Sequence, residues 1–297
     1  MEERRPRLFL HVGTPKTGTT TLQQACNASR ASLLTRGILY PDVDLHPAPQ
    51  PKHQWLAGLL LAEDLEGFRR NVGLVAAQAR ATNASRLILS TEGLYNHWYD
   101  FSESGRAALA ALKKNFDVTV WVVFREPVSW AISSYIQAVK NPPFQLAPRY
   151  STTEPLERLI DTEYYATRLQ YARFVRDAEK VFGDGSVHAM RYESGDILEQ
   201  TRAYLGVDAT ALASAGDRNK ALSMLGLDLM RRLNSMGIAG DERQRVASAI
   251  VELDQTLGAT SEPVTPSVEV RKKVLAISRE SENYLAKRFG IAWDHRR

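Results

Sequence analysis

Residues 9–22 read FLHVGTPKTGTTTL and give the clearest indication of the fold class. An apolar run ends at Gly13, a turn rich in glycine and threonine continues to Thr20, and a segment with helical spacing follows. Glycines let backbone N–H groups turn inward, and the start of the following helix adds positive potential. Lys16 and the threonine hydroxyls add further donors. The stretch therefore predicts a strand, a phosphate-binding loop and a helix in succession.

Outside this stretch, short apolar segments alternate with amphipathic ones. The predicted strands are 7–12, 38–40, 86–90, 118–124 and 187–191. The predicted helices between them are 19–35, 54–62, 65–81, 104–114, 128–139 and 164–182. A continuous apolar run such as VTVWVVF at 118–124 is typical of a strand that is buried on both faces. We expect an α/β fold, a P-loop-type parallel sheet flanked by helices, with ligands bound beyond the carboxyl ends of the strands.

The last third of the chain has helical spacing throughout. Three further helices are predicted there, at 222–234, 241–256 and 268–289. No stretch with the composition of a linker precedes them. We therefore expect a single domain over residues 1–297, with an α/β core at 7–235 that holds the nucleotide site and a helical C-terminal subdomain at 236–297.

The composition of the chain excludes several classes of protein. The chain has 297 residues, 44% hydrophobic and 24% charged, which excludes wholesale disorder and a coiled coil. A net charge of +4 suits a small anionic ligand and is too low to indicate nucleic-acid binding. The one cysteine, Cys26, excludes an internal disulfide and a multi-cysteine zinc site. The apolar runs are too short for a signal peptide or a membrane span, so we expect a cytoplasmic protein.

The loop departs from the ATP- and GTP-binding pattern G-x-x-x-x-G-K-[ST]. Gly13 and Gly18 have the required spacing, but Thr19 occupies the lysine position and Lys16 lies three residues earlier. No apolar strand ends in an aspartate that could hold Mg²⁺, and the run at 118–124 is followed by Arg125 instead. A kinase or NTPase with a displaced lysine, and a nucleotide-binding protein without activity, remain alternatives.

A second cluster, FREPVSWAISSY, covers residues 124–135. Arg125 follows the apolar strand, and Pro127 suits the first turn of a helix because its missing N–H costs nothing there. Ser133 lies eight residues beyond Arg125, about two helical turns into that helix. A phosphate beside the helix could meet the guanidinium of Arg125 and then the hydroxyl of Ser133.

The segment TPKTGTT followed by REPVSWAISSY resembles the sulfotransferases that use 3′-phosphoadenosine-5′-phosphosulfate (PAPS). The longer segment HVGTPKTGTTTLQ is similar to the bacterial, carbohydrate-type branch of that family. The resemblance covers residues 7–235. It implies that the first motif holds the 5′-phosphosulfate and that Arg125, Pro127, Ser133 and Tyr135 belong to the motif for the 3′-phosphate. It also implies PAPS as co-substrate and no metal. The loop residues expected to hold the nucleotide are Thr14, Pro15, Lys16, Thr17, Gly18, Thr19, Thr20 and Thr21.

A later segment, RNKALS at 218–223, resembles a stretch of the bacterial members, although Ala221 replaces a usual serine. The family's late basic loop touches the 3′-phosphate, which implies the same role for Arg218 and Lys220. A solvated basic loop is the alternative.

Sulfuryl transfer to a hydroxyl requires a cation for the leaving nucleotide, removal of the acceptor's proton and in-line placement of the reacting atoms. The resemblance gives the cationic role to Lys16. Glu92, just after the strand 86–90, and His53, at the end of a proline-rich loop, are the two candidates for the general base. Aromatic residues at 95–101 could line an acceptor site or pack in the core. The expected acceptor is a sugar or glycoconjugate, a glycolipid or a small natural product.

Overall fold

The computed structural model describes residues 5–42, 51–144, 147–193, 197–214, 221–257 and 262–295. These residues divide into two compact units. Unit 1 comprises Met1–Arg125, Tyr171–Asp217 and Ser281–Arg297, and unit 2 comprises Glu126–Gln170 and Arg218–Glu280. Both units are discontinuous in sequence, so neither coincides with the predicted core 7–235 or the predicted part 236–297. The single-domain organisation stays a prediction.

Five parallel strands form the sheet of unit 1. They are β1 (Arg7–Gly13), β2 (Ile38–Leu39), β3 (Arg86–Ser90), β4 (Asp117–Phe124) and β5 (Val187–Arg191). Their order across the sheet is β2-β3-β1-β4-β5, and each neighbouring pair is parallel. The predicted α/β class and all five predicted strands are confirmed.

The helices, in chain order, are α1 (Thr19–Ala28), α2 (Arg30–Thr35), α3 (Trp55–Leu61), α4 (Leu65–Ala81), α5 (Gly93–Asn96), α6 (Glu103–Ala110), α7 (Pro127–Lys140), α8 (Leu156–Leu159), α9 (Glu163–Arg168), α10 (Tyr171–Phe182), α11 (Ile197–Leu205), α12 (Met224–Ser235), α13 (Gly240–Leu257) and α14 (Val268–Phe289). A 3₁₀ turn, Ala111–Lys114, follows α6. Among the described residues, no helix is long and apolar enough to cross a membrane.

Alternate residues of each strand point to opposite faces of the sheet. Helices cover both faces, so both are buried. Leu8, Leu10 and Val12 of β1 pack in one core with residues of α3, α4, α6 and α10. Phe9 of the same strand packs on the other face with residues of α1, α2 and α11. This is the arrangement of helices on both faces that continuous apolar strands predict.

Unit 2 is helical and has a core of its own. Trp130 and Val139 of α7 pack with Met230 of α12, Ala247 of α13 and Val274 of α14. The Glu126 side chain caps α7 by accepting hydrogen bonds from the N–H groups of residues 128 and 129, and Pro127 occupies the first turn.

Two predicted helices are each broken into two in the structure. The helix predicted at 19–35 stops at Ser29, whose hydroxyl accepts a hydrogen bond from the Ala213 N–H. The helix predicted at 164–182 ends at Arg168 and resumes at Tyr171, where the chain passes from unit 2 to unit 1. Helical periodicity continues across both breaks, so the sequence pattern alone does not show them.

Candidate functional site

The loop between β1 and α1 has an unusual backbone. Gly13, Lys16 and Gly18 have positive φ angles of 100°, 70° and 75°. A positive φ is uncommon for a residue with a side chain, and residues held in this way cluster at binding and catalytic sites. Alternation of left- and right-handed residues points successive N–H groups into one concavity, which is an anion-binding geometry. The positive φ angles agree with a glycine-rich turn between β1 and α1, and anion binding by this loop stays a prediction.

Neighbouring residues require glycine at both ends of this loop. A Cβ atom on Gly18 would lie 2.9 Å from Cγ2 of Ile197 in α11. A Cβ atom on Gly13 would lie 3.1 Å from the nitrogen of Pro15 and 3.4 Å from Cβ of Glu92. Gly13 thus lets the loop approach Glu92 closely.

Thr14 and Thr17, which the sequence predicts to contact the nucleotide, use their hydrogen-bond donors to hold the loop itself. The N–H and the hydroxyl of Thr14 both donate to the carbonyl of Val123 in β4, at 2.9 and 3.1 Å. The hydroxyl of Thr17 donates to the carbonyl of Thr14 at 2.6 Å, and both threonines are fully buried. These donors are satisfied inside the protein. In contrast, Thr20 is exposed, and Lys16 and Thr21 are half-buried.

The loop lies where ligands bind in parallel sheets. β1 and β4 are neighbours, but the chain leaves β1 towards β2 on one side of the sheet and leaves β4 towards β5 on the other. Such a reversal opens a crevice beyond the carboxyl ends of the two strands. The β1–β4 register also shifts just before the loop, between His11 and Gly13.

Arg125 follows β4 and contacts the loop directly. Its Nη1 donates to the carbonyl oxygen of Lys16 at 2.9 Å, and its guanidinium lies 5.5 Å from the centre of the Tyr192 ring. The hydroxyl of Tyr171 donates to the carbonyl of Arg125 at 3.0 Å. The structure therefore brings the predicted residues Lys16 and Arg125 together and fixes the backbone of each.

Glu92 follows β3 and is the first residue of a turn into α5. Its Oε2 accepts a hydrogen bond of 3.0 Å from Nε2 of Gln23, and its Oε1 lies 3.8 Å from Nζ of Lys52. The side chain is 25% exposed. The carboxylate is thus oriented by two residues that sequence reasoning missed. The available signal for Gln23 was a polar side chain on the buried face of α1, beside Leu22 and Cys26.

Gln23 also belongs to a buried polar chain. Its amide donates to Oγ of Ser90 at 3.1 Å as well as to Glu92. Ser90 Oγ lies 2.7 Å from Nδ1 of His11. Burial lowers the pKa of His11 to about 3, so the ring is neutral, and either Nδ1 or the Ser90 hydroxyl is the donor according to the tautomer of the ring. The chain therefore connects the interior of the sheet to the Glu92 carboxylate.

His53 is enclosed rather than presented to a ligand. Its Nδ1 accepts a hydrogen bond of 3.0 Å from the N–H of Ser90, and its Nε2 donates to the carbonyl of Pro41 at 3.0 Å. The residue is 3% exposed, and burial lowers its pKa to about 4. Both ring nitrogens are used by the backbone, so this arrangement gives His53 a structural role and leaves Glu92 as the accessible candidate base.

The remaining predicted residues lie outside this cluster. Ser133 is a half-buried residue of α7 and belongs to unit 2, whereas Arg125 ends unit 1. Their joint contact with one phosphate stays a prediction. Arg218 and Lys220 lie outside the described residues. Of the aromatic residues after Glu92, Tyr95 and Trp98 pack against Phe174 in the core.

No protein-family model, curated protein or solved structure matches the chain. Among the described residues, no group of three or more histidine, cysteine, aspartate or glutamate side chains could hold a metal ion.

Because His53 and His11 are buried, we expect the protein to lose stability in mild acid. Their pKa values are about 4 and 3 in the folded protein and near 6.5 in an unfolded chain, so unfolding takes up protons below pH 6.5. The stabilisation is complete above pH 6.5 and is lost as the pH falls towards 4, with His53 alone contributing on the order of 3 kcal/mol. Urea unfolding at pH 7.5, 6.5, 5.5 and 4.5 measures this loss. His53→Gln should flatten the profile, and an unchanged slope in that variant would contradict the assignment.

Proposed function

We propose that this protein is a PAPS-dependent sulfotransferase that transfers the sulfuryl group to a hydroxyl of an acceptor, with a sugar or glycoconjugate as the favoured acceptor. The observation that carries the proposal is the hydrogen bond between Arg125 Nη1 and the Lys16 carbonyl. It joins the two sequence motifs at the carboxyl ends of neighbouring strands, where a nucleotide is expected.

The donors at this site suit a nucleotide with two separate anionic groups. The loop supplies the exposed Thr20 and the ammonium of Lys16, and its positive φ angles suit a backbone that turns N–H groups towards an anion. Arg125 supplies a second positive centre beyond β4. A 5′-phosphosulfate on the loop and a 3′-phosphate near Arg125 would use both centres. PAPS is preferred to a triphosphate because the sequence resemblance assigns the motif of Arg125 to a 3′-phosphate, which a triphosphate lacks.

The reaction joins the acceptor oxygen to sulfur and breaks the bond between sulfur and the 5′-phosphate oxygen. The product 3′-phosphoadenosine-5′-phosphate (PAP) leaves with the negative charge, and Lys16 is the cation proposed to stabilise that charge as it grows. The acceptor's hydroxyl proton passes to the Glu92 carboxylate and then to water. A sulfuryl group carries less charge than a phosphoryl group, which makes a metal clamp less necessary.

Glu92 is preferred to His53 as the base because of its surroundings. Its Cα and Cβ atoms lie beside Gly13 at the beginning of the loop, and its carboxylate is oriented by Gln23 and Lys52. It is partly exposed, so an acceptor can reach it. A general base must come within hydrogen-bond distance of the proton that it removes, and His53 has both nitrogens occupied.

The first test is nucleotide preference. PAP should raise the melting temperature without added metal much more than AMP does, because AMP lacks the 3′-phosphate. Arg125→Ala should remove most of this difference, since a hydrogen bond to a charged group contributes about 1.5–3 kcal/mol. Thermal shifts with PAP, AMP and ATP·Mg²⁺ make the measurement.

Arg36→Ala is the matched control, because Arg36 is an exposed arginine of unit 1 paired with Asp208. It should keep the full preference for PAP. Equal shifts with PAP and AMP would remove the proposed 3′-phosphate site. A shift with ATP·Mg²⁺ alone would favour the kinase alternative.

A further inference from the structure

Unit 2 contains a cavity that the proposed sulfuryl transfer does not use. Its volume is about 400 Å³, within the range of small-molecule sites. It is formed where the end of α7 meets α12 and α13. Its lining combines apolar side chains, Met230, Ala247 and Val251, with two cations, Lys140 and Arg243.

Arg243 is the unusual member of this lining. It is 3% exposed, and its Nε is buried without a hydrogen-bond partner. Its Nη2 donates to Oδ1 of Asn234 at 2.8 Å and to the carbonyl of Asn141 at 3.3 Å, both neutral acceptors. Within the described ranges, no carboxylate lies within ion-pair distance of this guanidinium. A buried cation is strongly unfavourable unless an anion pairs with it.

A purely structural role explains part of this arrangement. The contact with Asn141 places a positive charge at the carboxyl end of α7, where the helix dipole favours it. Asn234 is itself held by donating to the carbonyls of Val139 and Thr152. These bonds orient the guanidinium, but they use only Nη2. They give no partner to the buried Nε and do not neutralise the charge.

We propose that this cavity binds a small organic molecule with a single oxyanion group, a carboxylate or a sulfate ester, which pairs with Arg243. The guanidinium of Arg243 is charged and lines the cavity, so an oxygen of such a group can pair with the part of it that is exposed there. Lys140 adds positive charge, and the apolar side chains contact the rest of the ligand. The exposed carboxylate of Glu252 lines the same cavity, so the charge of the lining favours a monoanion over a polyanion such as a nucleotide.

The test follows the Nε–H resonance of Arg243 by nitrogen-15 NMR in the full chain, assigned by its absence from the spectrum of Arg243→Lys. The probes are octanoate and hexyl sulfate, with neutral octanamide as the control. The Arg243 resonance should shift saturably with both anions and stay unchanged with octanamide. Because the signal belongs to Arg243, an anion that binds at the β1–α1 loop does not produce it. The ratio of the two dissociation constants gives the preference of the site between a carboxylate and a sulfate ester.

Calorimetry with octanoate gives the second measurement. Arg243→Gln should weaken binding at least tenfold, and Arg245→Gln, which changes an exposed arginine two positions along α13, should leave it unchanged. Should Arg243→Gln fail to fold, Ser248→Phe, at an exposed position in the lining, should obstruct the cavity and abolish the NMR shift. No shift in the native protein, or equal shifts with octanoate and octanamide, would overturn the proposal.

Discussion

Replacing Lys16 by alanine is expected to lower turnover of PAPS by about 10²–10³-fold, the usual cost of removing one donor that stabilises transition-state charge. The affinity for PAP should fall much less, because the ammonium acts mainly on charge that grows as the sulfuryl group departs. Alanine keeps a Cβ atom, so the backbone preference at φ 70° is unchanged, whereas glycine would relax it. Single-turnover kinetics beside a PAP thermal shift separate the two effects.

Lys180→Ala is the control for Lys16, since Lys180 is an exposed lysine of unit 1 that pairs with Asp177 and has no part in the proposed site. It should change turnover far less. If Lys16→Ala retains full turnover, the proposed mechanism fails, and a role in nucleotide binding without catalysis becomes the better interpretation.

The second large effect is expected from Glu92→Gln. Loss of a general base typically lowers the rate by about 10²–10⁴-fold. Glutamine keeps the size of the side chain and an oxygen that can accept the hydrogen bond from Gln23, so the loop and the PAP thermal shift should be preserved. Turnover of PAPS with a hydroxyl acceptor, measured at equal nucleotide saturation, gives the decrease.

His53→Gln is the comparison for Glu92→Gln. Because His53 is buried and bonded to the backbone on both sides, its replacement should reduce stability more than turnover of the folded fraction. The assignment is wrong if Glu92→Gln stays near wild-type activity while His53→Gln loses turnover without losing stability.

The strands could be predicted because their signal is local. A strand buried on both faces needs an unbroken apolar run, and VTVWVVF at 118–124 satisfies that need within eight residues of β4. The turn between β1 and α1 could be predicted for the same reason, since its positive φ angles and close neighbours favour glycine at positions 13 and 18. Both features follow from residue type and spacing alone.

Other parts of the site depend on pairs that are distant in sequence. Gln23 and Glu92 are 69 positions apart, and Arg125 and Lys16 are 109 apart. No periodicity links such residues, and only the order of the strands brings them together. His53 shows that residue type alone does not establish a catalytic role. Its residue type suits a base, but its burial and both hydrogen-bond partners are decided by the fold.

The division of the chain between the two units has a consequence for synthesis on the ribosome. The last strand of the sheet is complete at Arg191, but the core on one face of that sheet also needs Leu285 and Ile291. Unit 1 therefore cannot close this core until about a hundred further residues have been made, a delay of roughly 5–20 s at typical translation rates. During that interval the part of this core that Leu285 and Ile291 complete is exposed, and exposed apolar surface of this kind favours aggregation.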